Sequence, residues 1–432
     1  MSSGSRGDVQ PFIALAQGLK NAGFDITVVT HESYRPFVTG AGLDFRTLGG
    51  DPRHVLNTPA GQELMESGDN IRVFFQKMVK LAEPLVIEVA RGALTAVADA
   101  DLVLCSSSMY FVGEALGEKL SCPVVFLSLQ PMAPSREQPG VFQTPLSPRF
   151  KFLERWGYFE AASVVGLQFY ARVYRPICNR VRSEVMQIPP RSRWFRPQVF
   201  KNGPLFLYGY SSHVVPRPGD WSSTQQVCGY WIMQPRTDWR PAPELERFLD
   251  DGPPPVYIGF GSMPFDDPTQ MQALLIEALE RTGQRAVISQ GWGSLGAAGW
   301  PDSVHLVGDV PHEWLFQRVS AVVHHGGAGT TAAGLRAGAP TIVVPHIADQ
   351  PYWGRRVQTL GCGPAPIPRK RLTPSLLAAA IQQATQDPAI RSAARQLGER
   401  LRSEDGVAIA VDHLTRALAG LPQKESLAAV GS

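Results

Sequence analysis

The segment His324-His325-Gly326-Gly327-Ala328-Gly329-Thr330-Thr331 is the most informative part of this sequence. It follows an apolar run at 321–323 that predicts a buried strand, and it precedes a run of small and apolar residues that predicts a helix. Glycines let the backbone approach a ligand closely, and the N–H groups at a helix start bind anions. The pattern predicts a diphosphate site in which a histidine donates to a phosphate oxygen. The alternative is a tight turn whose glycines only permit packing.

Similar apolar segments recur on both sides of this turn. They lie at 26–30, 101–105 and 124–127, and again at 256–260, 286–289, 304–306 and 341–344. Helical stretches alternate with them, beginning with 11–22. This alternation predicts an α/β fold with two doubly wound parallel sheets covered by helices. Two such domains facing each other would form a cleft at the carboxyl ends of their strands.

The region from 216 to 243 is rich in proline, glycine and tryptophan and has no clear periodicity, so it contains the predicted domain boundary. We assign 1–228 to an N-terminal domain and 229–402 to a C-terminal domain. A helix within 403–421 is expected to pack back on the N-terminal domain, and we interpret 422–432 as a C-terminal tail.

Composition excludes several classes of protein. The 432 residues contain 41 basic and 38 acidic side chains, and this balance gives no reason to expect nucleic acid. The five cysteines are scattered and form no CxxC pair, so they predict neither a disulfide framework nor a zinc site. With neither a signal peptide nor an apolar run of about 20 residues, the sequence favours the cytoplasm, with peripheral membrane contact left open. The oligomeric state stays open.

A polar loop at 345–351 follows the predicted strand 341–344. Asp349 and Gln350 offer two acceptors and a donor side by side, which suits neighbouring hydroxyls of a sugar. The alternative is that Asp349 starts a helix before Pro351.

Taken together, residues 309–350 resemble the donor-binding signature of family 1 glycosyltransferases, which have the GT-B architecture of two facing Rossmann-like domains. The opening Gly4-Ser5-Arg6-Gly7-Asp8-Val9-Gln10-Pro11 resembles the sterol glucosyltransferase branch of that family. Residues 259–263 and 289–293 are similar to the same branch, and antibiotic glycosyltransferases share part of the opening loop. The resemblance extends from Gly4 to about Leu418.

This resemblance implies UDP-glucose as donor, a hydrophobic alcohol as acceptor, and a set of donor-site roles. His325 would contact the diphosphate, and Asp349 and Gln350 would hold the hydroxyls of the transferred sugar. The role of His324 stays open. The other implied donor residues are Gly327, Ala328, Gly329 and Thr330 as backbone donors, Val310 for the uracil, Trp292 as a stacking or core aromatic, and Gly261 and Ser262 in the loop after a strand.

The resemblance also implies that Asp8 is the general base. A carboxylate there can accept the acceptor's hydroxyl proton as the oxygen attacks the anomeric carbon, which would give a β-glucoside from an α-linked donor. The alternative is that Asp8 is the N-cap of the first helix, with Pro11 close behind.

No metal cofactor is expected. Asp99-Ala100-Asp101 forms a DxD string, but it precedes the strand at 101–105 and so lies at the wrong end for the cleft. We interpret it as a capped turn. Helix N–H groups and a histidine can stabilise a leaving diphosphate without a cation.

The acceptor-binding region is the least defined part of this prediction. The segment Phe150–Tyr174 is rich in aromatic residues with interspersed basic ones, which favours an acceptor wall or a membrane-facing surface. A core helix with a polar face is the alternative. The relatives also have a full strand before the Gly4 loop, where this sequence has Met1-Ser2-Ser3. We therefore expect the two neighbouring strands to lose their hydrogen-bond partner.

The sequence thus predicts an inverting UDP-glucose-dependent hexosyltransferase acting on a sterol-like alcohol. An alternative in the same class glycosylates a polyketide or glycopeptide antibiotic from a UDP- or TDP-sugar. A nicotinamide-dependent oxidoreductase would need a GxGxxG loop, and the spacing of the loop at Gly4–Asp8 is wrong for it. A non-catalytic sugar-nucleotide-binding protein would keep the donor site and lack the base.

Overall fold

The computed structural model describes residues 1–50, 71–143, 146, 148–191, 199–233, 239–261, 265, 267–291, 295–296 and 298–419. Its strands form parallel sheets in two domains, which is the predicted fold class.

The N-terminal domain carries six of the strands. They are β1 Thr27–Thr30, β2 Asp44–Thr47, β3 Val103–Ser106, β4 Val124–Ser128, β5 Phe206–Tyr208 and β6 Gln225–Val227. Strands β1 and β2 pair with each other, and β3-β4-β5-β6 form a second sheet in that order, all in parallel. The helices are α1 Arg6–Asn21, α2 Arg35–Gly40, α3 Ile71–Ala96, α4 Tyr110–Leu120, α5 Tyr158–Arg180 and α6 Val199–Asn202. A 3₁₀ helix, Pro148–Trp156, precedes α5.

Residues 1–2 lie between these two sheets. Ser2 N donates to Val29 O at 3.0 Å, and Ser106 N donates to Met1 O at 2.9 Å. The expectation that both neighbouring strands lose their partner is therefore wrong, because a short extended segment gives each of them a backbone hydrogen bond. The two sheets of the domain are joined through this segment.

Helix α1 begins at Arg6, five residues before the predicted start, and Pro11 lies inside it. Ser5 is the N-cap, and Asp8 is the third helical residue, whose Oδ2 accepts the Ser5 N–H at 2.8 Å. The interpretation of Asp8 as N-cap is thus wrong by position, since Ser5 and Asp8 pair as a capping box. Pro11 has no N–H, so it cannot donate to the carbonyl of Gly7 one turn earlier.

The C-terminal domain contains the other five strands. They are β7 Val256–Gly259, β8 Ala286–Ser289, β9 Val304–Val307, β10 Ala321–His324 and β11 Thr341–Val343, in the sheet order β11-β10-β7-β8-β9. The helices are α7 Pro243–Asp250, α8 Pro268–Thr282, α9 His312–Leu315, α10 Ala328–Ala337, α11 Gln350–Thr359, α12 Pro374–Gln386 and α13 Pro388–Ser403. All pairings are parallel, so the loops that follow the strands gather at one edge.

Apolar strand residues explain why this sheet is central. Val256, Ile258, Ala286 and Ile288 are fully buried on one face, against residues of α8 and α12. Tyr257, Val287 and Val322 point to the opposite face, where they contact Leu315 and Phe316. Apolar residues on both faces require helices on both sides.

The last described helix, α14 Gly406–Ala419, packs against α1 of the N-terminal domain. Ala410 and Leu414 share a buried cluster with Leu15 and Leu19. A Cβ at Gly18 would lie 2.2 Å from Val407 Cγ1, so the glycine permits this close approach of the two helices. Among the described residues, no helix is long and apolar enough to cross a membrane.

Candidate active site

The turn after β10 forms the first part of the candidate site. Gly326 has φ +94°, and a Cβ there would lie 2.7 Å from Val343 Cγ1, so both conformation and space require glycine. Gly327 is the N-cap of α10, and the first helical residues are Ala328, Gly329 and Thr330. Their N–H groups have no partner within the helix, so they could bind an anion, and the diphosphate site expected there stays a prediction.

His325 lies beside this helix start. A Cβ at Gly261 would lie 3.1 Å from its Cε1, and a Cβ at Gly327 would lie 2.6 Å from its Nε2, so the ring fits between two glycines. Burial lowers the pKa of His325 to about 4, which keeps the ring neutral at pH 7. Within the part of the chain that the structure describes, its buried Nδ1 has no hydrogen-bond partner. A neutral imidazole in this position can donate one N–H to a phosphate oxygen.

His324, whose role the sequence left open, is fully buried at the end of β10. Its Nδ1 accepts the Gly326 N–H at 3.0 Å. Burial holds the pKa of His324 well below its usual range, so the ring stays neutral. His324 therefore fixes the turn that presents its neighbour His325.

Two more glycines bring the loops after β7 and β8 together. Gly261 and Gly291 have φ +62° and +54°, and a Cβ at Gly291 would lie 2.4 Å from the Gly261 carbonyl oxygen. The predicted donor residues Ser262 and Trp292 follow these glycines and lie outside the described residues. Their roles stay predictions.

Val310, the predicted uracil contact, is partly buried just before α9. Its neighbour Asp309 accepts hydrogen bonds from Arg6 Nη1 on both carboxylate oxygens at 2.6 Å. This pair joins the two domains across the cleft, and sequence reasoning missed it. The available signal was that Asp309 precedes Val310 and that Arg6 lies two residues before Asp8.

Asp349 lies at the N-cap position of α11, but its side chain does not cap the helix. Its Oδ2 accepts the Trp353 Nε1–H at 2.8 Å and the side-chain amide of Gln130 at 3.2 Å. Gln130 follows β4 of the N-terminal domain, so this is a second bond across the cleft. Burial raises the pKa of Asp349, and the two hydrogen bonds act against that rise.

Gln350 is buried, and its Oε1 accepts the backbone N–H groups of His346 at 2.8 Å and Ile347 at 3.0 Å. These bonds hold the loop in which Ala348 takes a left-handed conformation, with φ +56°. Gln350 thus shapes the loop that presents Asp349. Its predicted contact with sugar hydroxyls stays a prediction.

Asp8 lies in the first turn of α1, in the N-terminal domain. Its Oδ2 accepts from both the backbone N–H and the hydroxyl of Ser5, at 2.8 and 2.9 Å. Burial raises the pKa of Asp8, the two Ser5 bonds oppose that rise, and the nearby charge of Asp349 adds to it. A Cβ at Gly4 would lie 2.4 Å from Asp8 Oδ2, so the glycine makes room for the carboxylate.

The DxD string Asp99-Ala100-Asp101 lies outside this site. It precedes β3, at the amino end of the strand, and Asp99 pairs with Arg46 at 2.5 Å, which lowers the pKa of Asp99 to about 2. An ion pair, rather than the predicted cap, therefore occupies this turn. Across the described residues no group of three or more His, Cys, Asp or Glu side chains could hold a metal ion.

Two family models match the chain. The glycosyltransferase family 28 N-terminal domain matches residues 1–123, and the erythromycin biosynthesis protein CIII-like C-terminal domain matches residues 284–415.

Curated relatives match over nearly the whole chain. The sterol 3-beta-glucosyltransferase UGT80B1 of Arabidopsis thaliana is 38% identical over 98% of this chain and 68% of its own length. UGT80A2 of the same plant is 35% identical over 94% of this chain and 63% of its own length. A sterol 3-beta-glucosyltransferase of Emericella nidulans is 33% identical over 97% of this chain, which spans 30% of that protein.

Solved structures agree on the fold. The calicheamicin glycosyltransferase CalG4 is 18% identical with a TM-score of 0.65, and each chain is covered to 98%. The glycosyltransferase of kitacinnamycin is 20% identical with a TM-score of 0.68, over 96% of this chain and 97% of the other. They confirm the predicted GT-B architecture. With the curated relatives, they show that this chain belongs to the sterol 3-beta-glucosyltransferase family of GT-B glycosyltransferases.

Proposed function

We propose that this chain transfers glucose from UDP-glucose to the hydroxyl of a sterol-like alcohol and forms a β-glucoside. The names of its relatives support the sterol acceptor. The observation that carries the chemistry is geometric: Ser5 holds the Asp8 carboxylate at the start of α1, and Gln130 of the same domain bonds at 3.2 Å to Asp349 of the other domain.

The donor's diphosphate would lie at the start of α10. Backbone N–H groups of the first helical turn and the His325 ring would stabilise the negative charge that develops on leaving UDP. Asp349 would accept hydrogen bonds from the glucose hydroxyls through the oxygen that Trp353 and Gln130 do not use. Because helix and imidazole can stabilise the diphosphate, we include no metal ion in the reaction.

Asp8 would act as the base. Among the described residues, the hydrogen bonds to its side chain end on Oδ2, which leaves Oδ1 for the acceptor's proton. The acceptor oxygen forms a bond to the anomeric carbon as the bond from that carbon to UDP breaks, and the proton passes to Asp8. One displacement inverts the α-linked donor into a β-glucoside. A raised pKa makes the carboxylate a stronger base.

The five cysteines are buried and free, which fits the cytoplasmic location that we include in the proposal. We also propose the predicted division into domains, because β6 is the last strand of the N-terminal sheets and β7 is the first strand of the C-terminal sheet.

The test is release of UDP from UDP-glucose with a panel of acceptors containing sterols, polyketide aglycones and a glycopeptide aglycone. We expect turnover with a 3β-hydroxysterol, a product whose anomeric proton shows the large coupling of a β-glucoside, and slower turnover from TDP-glucose. Turnover confined to an antibiotic aglycone, or a product of α configuration, would overturn the proposal.

A further inference from the structure

A buried histidine of the N-terminal domain, His31, bonds to two loops at once. It directly follows β1 and its side chain is fully buried. Its Nδ1 lies 2.7 Å from Gly50 O and 3.3 Å from Gly49 O, in the loop after β2. Its Nε2 lies 2.8 Å from Ser3 Oγ, just before the glycine loop that leads into α1. Each ring nitrogen is therefore occupied by a different loop.

These partners fix where the His31 ring carries its proton. A carbonyl oxygen only accepts hydrogen bonds, so Nδ1 must be protonated to donate to Gly50 O. In the neutral ring Nε2 is then an acceptor, and the Ser3 hydroxyl donates to it. Because the ring is buried, removal of either bond would leave a polar group without a partner. His31 therefore holds the Ser3 side chain in one orientation.

The loop behind the His31 ring is itself held by two elements. Gly50 N donates to Glu88 Oε1 on α3 at 2.8 Å. Leu48 N donates to Thr30 O at 2.9 Å, which keeps the start of the loop beside the end of β1. The carbonyl that orients Nδ1 is thus fixed from the helix and from the strand. The ring consequently presents Nε2 to the opening loop from a defined position.

The opening loop runs from this bond to Asp8. Ser3 precedes Gly4, and a Cβ at Gly4 would lie 2.4 Å from Asp8 Oδ2, so the Gly4 backbone packs directly against the carboxylate. Tyr34 OH donates to Gly4 O at 3.3 Å, from the side of β1. Ser5 then supplies two hydrogen bonds to Asp8 Oδ2. A shift of Ser3 would therefore move the two residues that set the position of this carboxylate.

We propose that His31 is a positioning residue, which acts on Asp8 through Ser3. The inference rests on the proposed function, in which Asp8 takes the proton of the acceptor hydroxyl. Because the ring is fully buried, it orients the loop and does not act on the substrate. A displacement of about 1 Å at a reacting group can lower the rate by up to about 100-fold. The donor subsites lie in the other domain, so donor binding should not depend on His31.

Two substitutions separate the two bonds of the ring. Asparagine places an amide N–H near the position of Nδ1 and can keep the bond to Gly50, whereas glutamine places its amide oxygen near Nε2 and can keep the bond to Ser3. We expect His31→Asn to lower kcat about tenfold with KM for UDP-glucose within about twofold, and His31→Gln to keep kcat within about threefold. Ser3→Ala should match His31→Asn, and the two together should lose no more than either alone.

The matched control is His305→Asn in the other domain, where the His305 ring stacks on Phe248 at 5.2 Å between ring centres. It should leave kcat and KM unchanged. Three results would overturn the inference: an equal loss of kcat in His31→Gln and His31→Asn, full turnover in Ser3→Ala, or a loss that appears in KM for UDP-glucose instead of kcat.

A measurement on the free protein separates this inference from the proposed function. The ¹³C chemical shift of the Asp8 carboxyl carbon, identified by its loss in Asp8→Asn, reports the surroundings of the carboxylate without any substrate. It should change in His31→Asn and Ser3→Ala and stay in place in His31→Gln. Absence of glucosyl transfer by the unmodified chain would contradict the proposed function alone. An identical carboxyl shift in all three variants would contradict the role of His31, whatever the chain turns over.

Discussion

The side-chain amide of Gln130, in the N-terminal domain, donates a hydrogen bond to Asp349 Oδ2, in the C-terminal domain, at 3.2 Å. The same oxygen accepts from Trp353 at 2.8 Å. These bonds fix the carboxylate that we assign to the sugar hydroxyls and tie its orientation to the relative position of the two domains. Gln130 follows a strand that the sequence identifies, but nothing in its surroundings predicts a partner in the other domain.

Replacement of Gln130 by leucine should weaken the sugar subsite. Asp349 would keep Trp353 as a donor but lose the bond that spans the cleft, and its pKa should rise further because one stabilising donor is gone. We expect kcat/KM for UDP-glucose to fall about tenfold, consistent with the loss of one bond to a charged group. Steady-state kinetics measure this fall, which should grow toward acidic pH.

The matched control is Gln396→Leu, on the exposed side of α13. It should leave kcat/KM within about twofold, as expected for a surface substitution. Equal kinetics for Gln130→Leu and the unmodified chain would show that the cross-cleft bond does not support donor binding.

Replacement of Gly4 by alanine should disturb the base directly. Gly4 has φ +145°, and its Cβ would lie 2.4 Å from Asp8 Oδ2, so the substitution strains the backbone and displaces the carboxylate. We expect a loss of about 1–3 kcal/mol in the free energy of unfolding and a larger relative loss of turnover. Denaturant unfolding and UDP release measure the two effects.

Gly40→Ala is the control for this change. A Cβ at Gly40 meets nothing within 4 Å, so its effect on unfolding should stay within about 1 kcal/mol and turnover should not change. Full turnover in Gly4→Ala would mean that the position of Asp8 does not matter to the reaction.

His325 should take up a proton when UDP-glucose binds. Burial lowers its pKa to about 4 in the free site, and a neighbouring diphosphate favours the charged ring and raises that pKa. The complex then holds more protons than the free protein, so affinity should increase as the pH falls from 7 toward 5. Calorimetry with UDP-glucose, whose phosphates do not titrate in this range, measures the uptake.

His325→Gln should abolish that uptake and weaken binding about tenfold, whereas His413→Gln on α14 should change neither. Proton uptake that persists in His325→Gln would place the titrating group elsewhere and remove the histidine from the diphosphate site.

Sequence reasoning located the strand–turn–helix at 321–337 and the parallel sheets because each depends on local pattern. It missed β2, which is mostly exposed, and β5 and β6, which have three residues each, too few to show a periodicity. It also misplaced the start of α1, because Pro11 suggested a first helical turn while the Ser5–Asp8 pair sets the actual start. The bonds between Arg6 and Asp309 and between Gln130 and Asp349 join residues 303 and 219 positions apart, which no local pattern reveals.

Burial of the ionised Asp8 carboxylate should lower the stability of the folded chain at neutral pH. Because burial raises the folded-state pKa of Asp8, ionisation of this group costs stability as the pH rises through that pKa. Asp8→Asn avoids the cost, and its Oδ1 can still accept from Ser5. We expect its melting temperature to equal or exceed that of the unmodified chain at pH 7, with the difference shrinking as the pH falls. A lower melting temperature at pH 7 would contradict a desolvated carboxylate.

The role of Asp8 as general base is tested most directly by the sterol-dependent turnover of Asp8→Asn at saturating UDP-glucose, together with its affinity for that donor. We expect kcat to fall at least about 100-fold, which is the contribution expected of a general base, while the donor Kd changes less than about twofold. Turnover within a few-fold of the unmodified chain would contradict it and reduce Asp8 to a partner in the capping box of α1.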